Sequence, residues 1–163
     1  MSPLEALIRD RITSTGPISV ADFMELALGH PEHGYYMTGD PLGVSGDFIT
    51  SPEISQVFGE LIGLWAAVTW QQMGSPENLV LAECGPGRGT LMKDVLRAAK
   101  SVPDFHQAID IHLVENSPAM RRRQQDTLTG FTPSWHDSIA TVPAGPMILI
   151  ANEFLDALPI HQF

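Results

Sequence analysis

The chain has 163 residues, 44% of them apolar and 17% charged, and a formal net charge of −10. This composition supports one globular domain with its own core and excludes a disordered chain, while the acidic excess argues against wholesale binding of a phosphate backbone. Cys84 is the one cysteine, which rules out an internal disulfide and a cysteine-metal cluster and suits a reducing compartment.

Ser2 ahead of Pro3, with Glu5 three residues on, reads as a capping box, and Leu4, Leu7, Ile8 and Ile12 recur at helical spacing up to Gly16-Pro17. No basic stretch followed by an apolar one opens the chain, and no charge-free apolar run reaches the ~18 residues of a membrane span. The expected location is therefore the cytoplasm, without membrane insertion. A second helix is predicted from about residue 20 to 28, capped by Ser19 and ended by Gly29. Residues 29–51 carry His30-Pro31, Gly34, Gly39-Asp40-Pro41, Gly43 and Gly46, breakers dense enough to predict a long loop, and such loops are usually functional. Ser51-Pro52-Glu53 then starts a long helix in which Ile54, Val57, Phe58, Leu61, Ile62, Trp65 and Val68 follow a period near 3.6, until Gly74 ends it. At 1.5 Å per residue it would run about 33 Å, with its apolar stripe packed on a sheet or a helix pair.

After Gly74 the pattern changes. Strands are predicted at residues 79–82, at 109–114, weakly at 131–135, and at 147–151. Between them lie helices from Thr90 to about Ala99 and from Ser117-Pro118 to about Thr127. Nearly all-apolar strands alternating with helices predict a parallel sheet covered on both faces.

The first chemistry-bearing run is Val80-Leu81-Ala82-Glu83-Cys84-Gly85-Pro86-Gly87-Arg88-Gly89-Thr90, where a strand turns into a helix. Gly85 and Gly87 permit positive φ and a close approach of ligand to backbone, and the helix presents unpaired N–H groups at its positive end. A dinucleotide fingerprint, G-x-G-x-x-G, begun at Gly85 would need glycine at position 90, where Thr90 stands. Acid-x-G-x-G-x-G matches instead, at Glu83, Gly85, Gly87 and Gly89. An acid two residues before the first glycine suits a ligand with an ammonium group and has little use beside a pyrophosphate. A nucleoside sulfonium is thus favoured over a dinucleotide, with the dinucleotide and a merely structural turn left open. Glu115, at the carboxyl end of the second strand, is placed to take both ribose hydroxyls, a feature both nucleotide readings share.

Asn152, Glu153 and Asp156 follow the fourth strand. Ligand crevices of open α/β sheets lie outside strand carboxyl ends where strand order reverses, so these residues are candidates to orient an acceptor. Carboxylates there suit a guanidinium through paired charge-assisted bonds, although an acid in a first helical turn stabilises any helix and gives Asp156 a plain structural reading as well. In the run from Gly46 to Gln56, helix capping accounts for Ser51, Pro52 and Glu53 but leaves Asp47, Thr50, Ser55 and Gln56 unexplained. His30 and His33 share H-x-x-H spacing without a third ligand, so no metal site is expected. Arg121-Arg122-Arg123 reads as a solvated face, and Trp65 and Trp70 as core or interface aromatics.

On four runs the chain resembles the MidA-like family of S-adenosylmethionine-dependent methyltransferases: His33-Gly34-Tyr35-Tyr36, Gly46 to Gln56, Glu83 to Met92, and Asn152 to Pro159. The glycine motif is common to many methyltransferases; the second and fourth runs are more specific. The resemblance implies an α/β fold with a Rossmann-like class I methyltransferase sheet of about four parallel strands. Residues 76–163 would form the first half of that cofactor-binding domain, preceded at 1–75 by a helical region whose loop borders the site. S-adenosylmethionine is the implied cofactor, bordered by Thr50, Ser51 and Glu53 and held by Glu83, Gly85, Gly87, Gly89, Thr90 and Glu115, with Asp137 toward the adenine amino group. Asn152, Glu153 and Asp156 become the catalytic candidates for methyl transfer to a protein arginine.

Mitochondrial members of the family methylate an arginine of a respiratory complex I subunit during assembly, so the matrix is the implied site for eukaryotic relatives. The expected partner is a protein substrate, with a second copy of the chain also allowed. Family members are considerably longer, and a full methyltransferase sheet would continue past the fourth strand. The alternative is a non-catalytic complex I assembly module that keeps the fold; a nicotinamide-dependent oxidoreductase is opposed by Thr90. Cys84, where the family usually has an aliphatic residue, reads as a small buried hydrophobe.

Overall fold

Largely apolar runs belong to strands buried on both faces, and three such runs pair in register with one short strand of mixed polarity. In the computed structural model, which describes residues 1–38 and 49–162, β1 (Leu79–Cys84), β2 (Ile109–Val114), β3 (Ser134–His136) and β4 (Met147–Ile150) form one parallel sheet in the order β3-β2-β1-β4. The α/β class with a Rossmann-like parallel sheet is as expected. Strand order reverses at β1, with β2 and β3 on one side and β4 on the other. The carboxyl ends of β1 and β4 therefore flank the switch point where such sheets bind ligands. β1 runs two residues further than predicted and takes in Glu83 and Cys84. β3 starts later than predicted, because Gly130 adopts φ 92 and Pro133 has no N–H for a ladder.

The chain packs as two compact units, residues 1–41 with 153–163 and residues 42–152. The first holds α1 (Pro3–Thr15), α2 (Val20–Gly29) and α3 (Tyr35–Thr38). Ser2 Oγ accepts from the Glu5 N–H at 3.1 Å, and Ser19 and Asp22 form a capping box, so both predicted starts hold. α3 interrupts what was expected to be loop throughout. Ahead of it, a Cβ on Gly34 would lie 2.4 Å from the His30 backbone nitrogen, so only glycine fits the turn into α3. Residues 39–48, with Gly39-Asp40-Pro41, Gly43 and Gly46-Asp47-Phe48, lie outside the described residues.

The second unit adds α4 (Ser51–Ile54), α5 (Gln56–Gln72), α6 (Thr90–Ala99), α7 (Pro103–Ala108) and α8 (Pro118–Thr127) around the sheet. The single long helix expected from residue 51 is two helices. Ser55 is extended (φ −146, ψ 119) and serves both as the C-cap of α4, through its N–H to the Ser51 carbonyl, and as the N-cap of α5, where its hydroxyl makes no capping bond. α7 escaped prediction because six residues are too few to show a helical period.

α5 also faces the core with an unexpected side. Ile54, at the end of α4, and Val57, Leu61, Leu64, Trp65 and Val68 of α5 are exposed, whereas Gly59, Gly63, Ala66, Ala67 and Trp70 are buried. The reason is close packing of α5 on α6: a Cβ on Gly59 would meet Asp94 Cβ at 2.5 Å, and one on Gly63 would meet the Val95 carbonyl oxygen at 2.7 Å. Small residues bring the helices together, and α6 in turn places Leu91, Met92, Val95 and Leu96 against Leu79, Leu81 and Leu113 of the sheet. Trp70 closes the far end, stacked at a tilt on Phe105 and donating its Nε1–H to the Pro76 carbonyl at 2.9 Å. Among the described residues no helix is long and apolar enough to cross a membrane.

Gly63→Ala tests this packing. An exposed helical glycine gains about 1 kcal/mol on becoming alanine. Here the new methyl strikes backbone, and overpacking should instead cost about 1–3 kcal/mol. Denaturant unfolding should show a lower midpoint; a raised midpoint would contradict the close crossing.

Candidate functional site

β1 carries Glu83 into the centre of the sheet, paired in register with Leu113 of β2 and Ile150 of β4. Glu83 is 3% exposed, and its Oε2 is buried with no hydrogen-bond partner among the described residues. Burial alone pushes this carboxyl up to about 8, because a low-dielectric setting penalises the charged form. An unpartnered buried carboxyl is costly to keep, and a ligand cation would supply the missing partner. Cys84 is buried beside it, and burial followed by the Glu83 charge pushes its thiol up, which disfavours the thiolate.

The chain leaves β1 through a turn that only glycines hold comfortably. Gly85, Gly87 and Gly89 have φ of 62, 52 and 81, and other residues lose roughly 1–2 kcal/mol at each such position. The Gly85 N–H donates to the Val114 carbonyl at 3.0 Å, the Gly89 N–H to the Pro86 carbonyl at 2.7 Å, and Gly89 caps α6. The turn thus lies at the positive end of a ten-residue helix, with its backbone open to close approach.

Glu115 stands just past β2, half-buried. Its Oε1 accepts from the Ser117 N–H at 2.8 Å and its Oε2 from Gln124 Nε2 at 3.1 Å. Burial pushes its carboxyl up, and those bonds with the nearby Arg121 charge oppose the rise. The Asn116 N–H also bonds this carboxylate, which is thus held by two backbone groups and one side chain just past the end of β2. Gln124 is fully buried and also donates to the Gly87 carbonyl at 2.8 Å. Arg121 donates from Nε to the Glu115 carbonyl at 2.7 Å and from Nη2 to Asp137 at 2.5 Å. Asp137, expected near an adenine amino group, is thus engaged with Arg121 and largely exposed.

The residues ahead of α5 meet the same turn. Thr90 Oγ1 donates to Glu53 Oε1 at 2.6 Å, and Arg88 Nη1 lies 4.0 Å from Glu53 Oε2. Glu53 and Thr90 therefore bond each other, fastening α4 to the start of α6. Thr50 caps α4 with its carbonyl, which accepts from the Glu53 and Ile54 N–H groups, and Ser51 is exposed at the first position.

The structure brings together in one unit Glu53, Glu83, the glycine turn, Thr90, Glu115 and Asp137, with Asn152 two residues past the end of β4. Glu153 and Asp156 belong to the other unit. Glu153 is exposed with φ 48, a left-handed conformation that a glutamate holds at a cost. Asp156 lies near Tyr36, whose phenol is pushed up by burial and then by that carboxylate. Sequence reasoning missed Gln124 and Arg121. Both sit in a polar run whose periodicity carries no burial signal, and Arg121 is not the plain solvated residue expected. Among the described residues no group of three metal-ligating side chains converges.

A family model described as "Putative S-adenosyl-L-methionine-dependent methyltransferase" matches residues 61–163. The chain is 45% identical to "Protein arginine methyltransferase NDUFAF7, mitochondrial" of Danio rerio over 96% of its own length and 42% of that protein. It is 40% identical to the Homo sapiens protein of the same name over 100% of its length and 42% of that protein. The chain thus spans about two fifths of these relatives. Among solved structures, a Burkholderia thailandensis protein bound to S-adenosyl-homocysteine superposes with a TM-score of 0.79 at 28% identity, covering 96% of this chain and 42% of that one.

Glu83→Gln tests the electrostatics of the turn. With the folded pKa raised, the unfolded chain releases this proton first, so the carboxyl costs nothing below about pH 4.5 and destabilises progressively as pH rises toward 8. In denaturant titrations of the ligand-free protein, the variant should lose stability less steeply than the parent across that window. Parallel pH profiles would show that Glu83 is not held as described.

Proposed function

The chain belongs to the S-adenosyl-L-methionine-dependent methyltransferase family whose model spans residues 61–163, and on that premise we infer that it is the cofactor-binding part of an enzyme that methylates protein arginine. The observation that carries this reading is the buried Glu83 carboxyl with its unpartnered oxygen, two residues ahead of a glycine turn at the sheet's switch point. A ligand with an ammonium at one end and a ribose at the other fits Glu83 and Glu115. The similar structure that holds S-adenosyl-homocysteine supports the same choice. A dinucleotide would bring pyrophosphate charge beside Glu83, which this carboxyl disfavours.

In this reading Glu83 holds the amino-acid ammonium and becomes ionised by it. Gly85, Gly87 and Gly89 let the backbone approach the ligand, and Glu115 takes the ribose hydroxyls. Glu53 and Thr90 brace the turn from α4, with Thr50 and Ser51 bordering it. Asp137 limits the adenine end. Bound S-adenosylmethionine supplies a methyl carbon whose bond to sulfur breaks as the acceptor nitrogen attacks. The chain's contribution to that displacement is orientation, which can lower a barrier by several kcal/mol. Asn152, just past β4, is the candidate in this unit to accept a hydrogen bond from an acceptor guanidinium, and the carboxylates of Glu153 and Asp156 are candidates to pair with its charge and take up its proton. The relatives' name supports an arginine acceptor. The narrower reading, from the family resemblance, is an arginine of a respiratory complex I subunit.

Thermal unfolding tests the ligand. S-adenosyl-homocysteine at 100 times its dissociation constant should add about 2.7 kcal/mol of stability. Glu83→Gln should lower its affinity by about tenfold or more, the loss of one charge-assisted bond. A shift with NADH and none with S-adenosyl-homocysteine would reverse the assignment. The acceptor is tested by mass spectrometry of complex I subunits incubated with a full-length family member and labelled cofactor: methylated arginine is expected, and unmodified arginine would remove the narrower reading.

A further inference from the structure

Gln124 is a long polar side chain with no exposure at all, and each of its polar atoms is used. Nε2 donates one hydrogen to the Gly87 carbonyl at 2.8 Å and the other to Glu115 Oε2 at 3.1 Å. Oε1 accepts from Trp135 Nε1 at 2.8 Å. The amide orientation is forced, because an indole N–H can only donate and a carbonyl can only accept. A flipped amide would set its oxygen against the Gly87 oxygen and the Glu115 carboxylate. α8, which carries Gln124, also lies against the turn: a Cβ on Gly89 would touch the Gln124 Cα at 3.5 Å.

We propose that Gln124 is the positioning residue for ribose recognition: its amide locks the Glu115 carboxylate to the glycine turn and so selects a nucleoside bearing both hydroxyls. This rests on the reading of the site as one for an adenosyl ligand. Backbone N–H groups hold Glu115 from one side, Ser117 at Oε1 with a further bond from Asn116, and at Oε2 a side chain must complete the stop to rotation about the last side-chain bond. Gln124 stops it, and the same nitrogen fixes the carbonyl of Gly87, the middle glycine of the turn. The two halves of the binding site, one after β1 and one after β2, therefore move as one piece. Without Gln124, Glu115 would keep its charge but lose its fixed aim, and the cost falls on ligands that need both carboxylate oxygens together. A glutamate at this position could not substitute, since it would bring a second carboxylate against the first.

The test compares S-adenosyl-homocysteine with its analogue lacking both ribose hydroxyls, by titration calorimetry on the full chain. The parent protein should prefer the diol. Gln124→Met, close in shape and without donors, should weaken diol binding by about tenfold, the worth of a charged hydrogen bond, and leave the dideoxy analogue within about twofold. Trp135→Phe, which removes a bond from the far side of the same amide, should keep the parent's preference and separates positioning from general loss of stability. If Gln124→Met does not fold, Gln124→Asn, which withdraws the amide by one methylene, should show the same selective loss. Equal weakening of both ligands, or an unchanged preference, would overturn the role of Gln124 while leaving the adenosyl site intact. Failure of the parent protein to bind either ligand would overturn both.

Discussion

A carboxyl buried within a parallel sheet, with no partner among the described residues for one of its oxygens, is the constraint around which this protein is organised. Glu83 cannot be explained by folding. Its neighbours in β1 are Leu79, Val80, Leu81, Ala82 and Cys84, all buried, and an apolar residue would pack there at lower cost. Burial instead raises its proton affinity until the group is largely neutral at physiological pH. The molecule thereby stores an unfavourable arrangement that a bound cation relieves. Natural proteins keep such conflicts where binding or chemistry requires them.

The surroundings make that conflict sustainable. The glycine turn leaves β1 in three left-handed steps and delivers the chain to α6, and α6 is held on its outer face by the glycine-lined side of α5 and on its inner face by the sheet. Glu53 and Thr90 tie α4 to the same point, while Gln124 ties in the end of β2. The site is therefore built on strand ends and helix starts, and few of its parts can shift alone.

Much of this architecture is legible in the sequence because it depends on local chemistry. Largely apolar runs mark β1, β2 and β4, while the Ser-Trp-His of β3 is only weakly marked; Ser2, Ser19 and Ser117 mark helix starts, and the spacing of Glu83, Gly85, Gly87 and Gly89 marks the turn. What escapes the sequence depends on which neighbour a residue meets. The exposed stripe of Val57, Leu61 and Trp65 carries the stronger apolar period, yet α5 buries its small face, since close approach to α6 outweighs side-chain size at that crossing. Ser55 looks like any serine near a helix start, and only its backbone reveals the break. Gln124 and Arg121 lie in the run Arg121-Arg122-Arg123-Gln124-Gln125, where nothing distinguishes the buried residues from the solvated ones. Of the three acceptor candidates, the sequence places Asn152, Glu153 and Asp156 in one motif, whereas packing assigns the last two to the unit that includes α1 to α3.

The proton held by Glu83 offers the most direct measurement. If its carboxyl is neutral in the free protein and ionised against a ligand ammonium, binding must release that proton. Calorimetric titration with S-adenosyl-homocysteine at pH 7, in two buffers of different ionisation heat, should show release of about one proton per ligand bound, falling away as the pH is raised well past 8. Binding with no proton exchanged at pH 7 would mean that Glu83 is already charged and already paired, and the account built on its burial would be wrong.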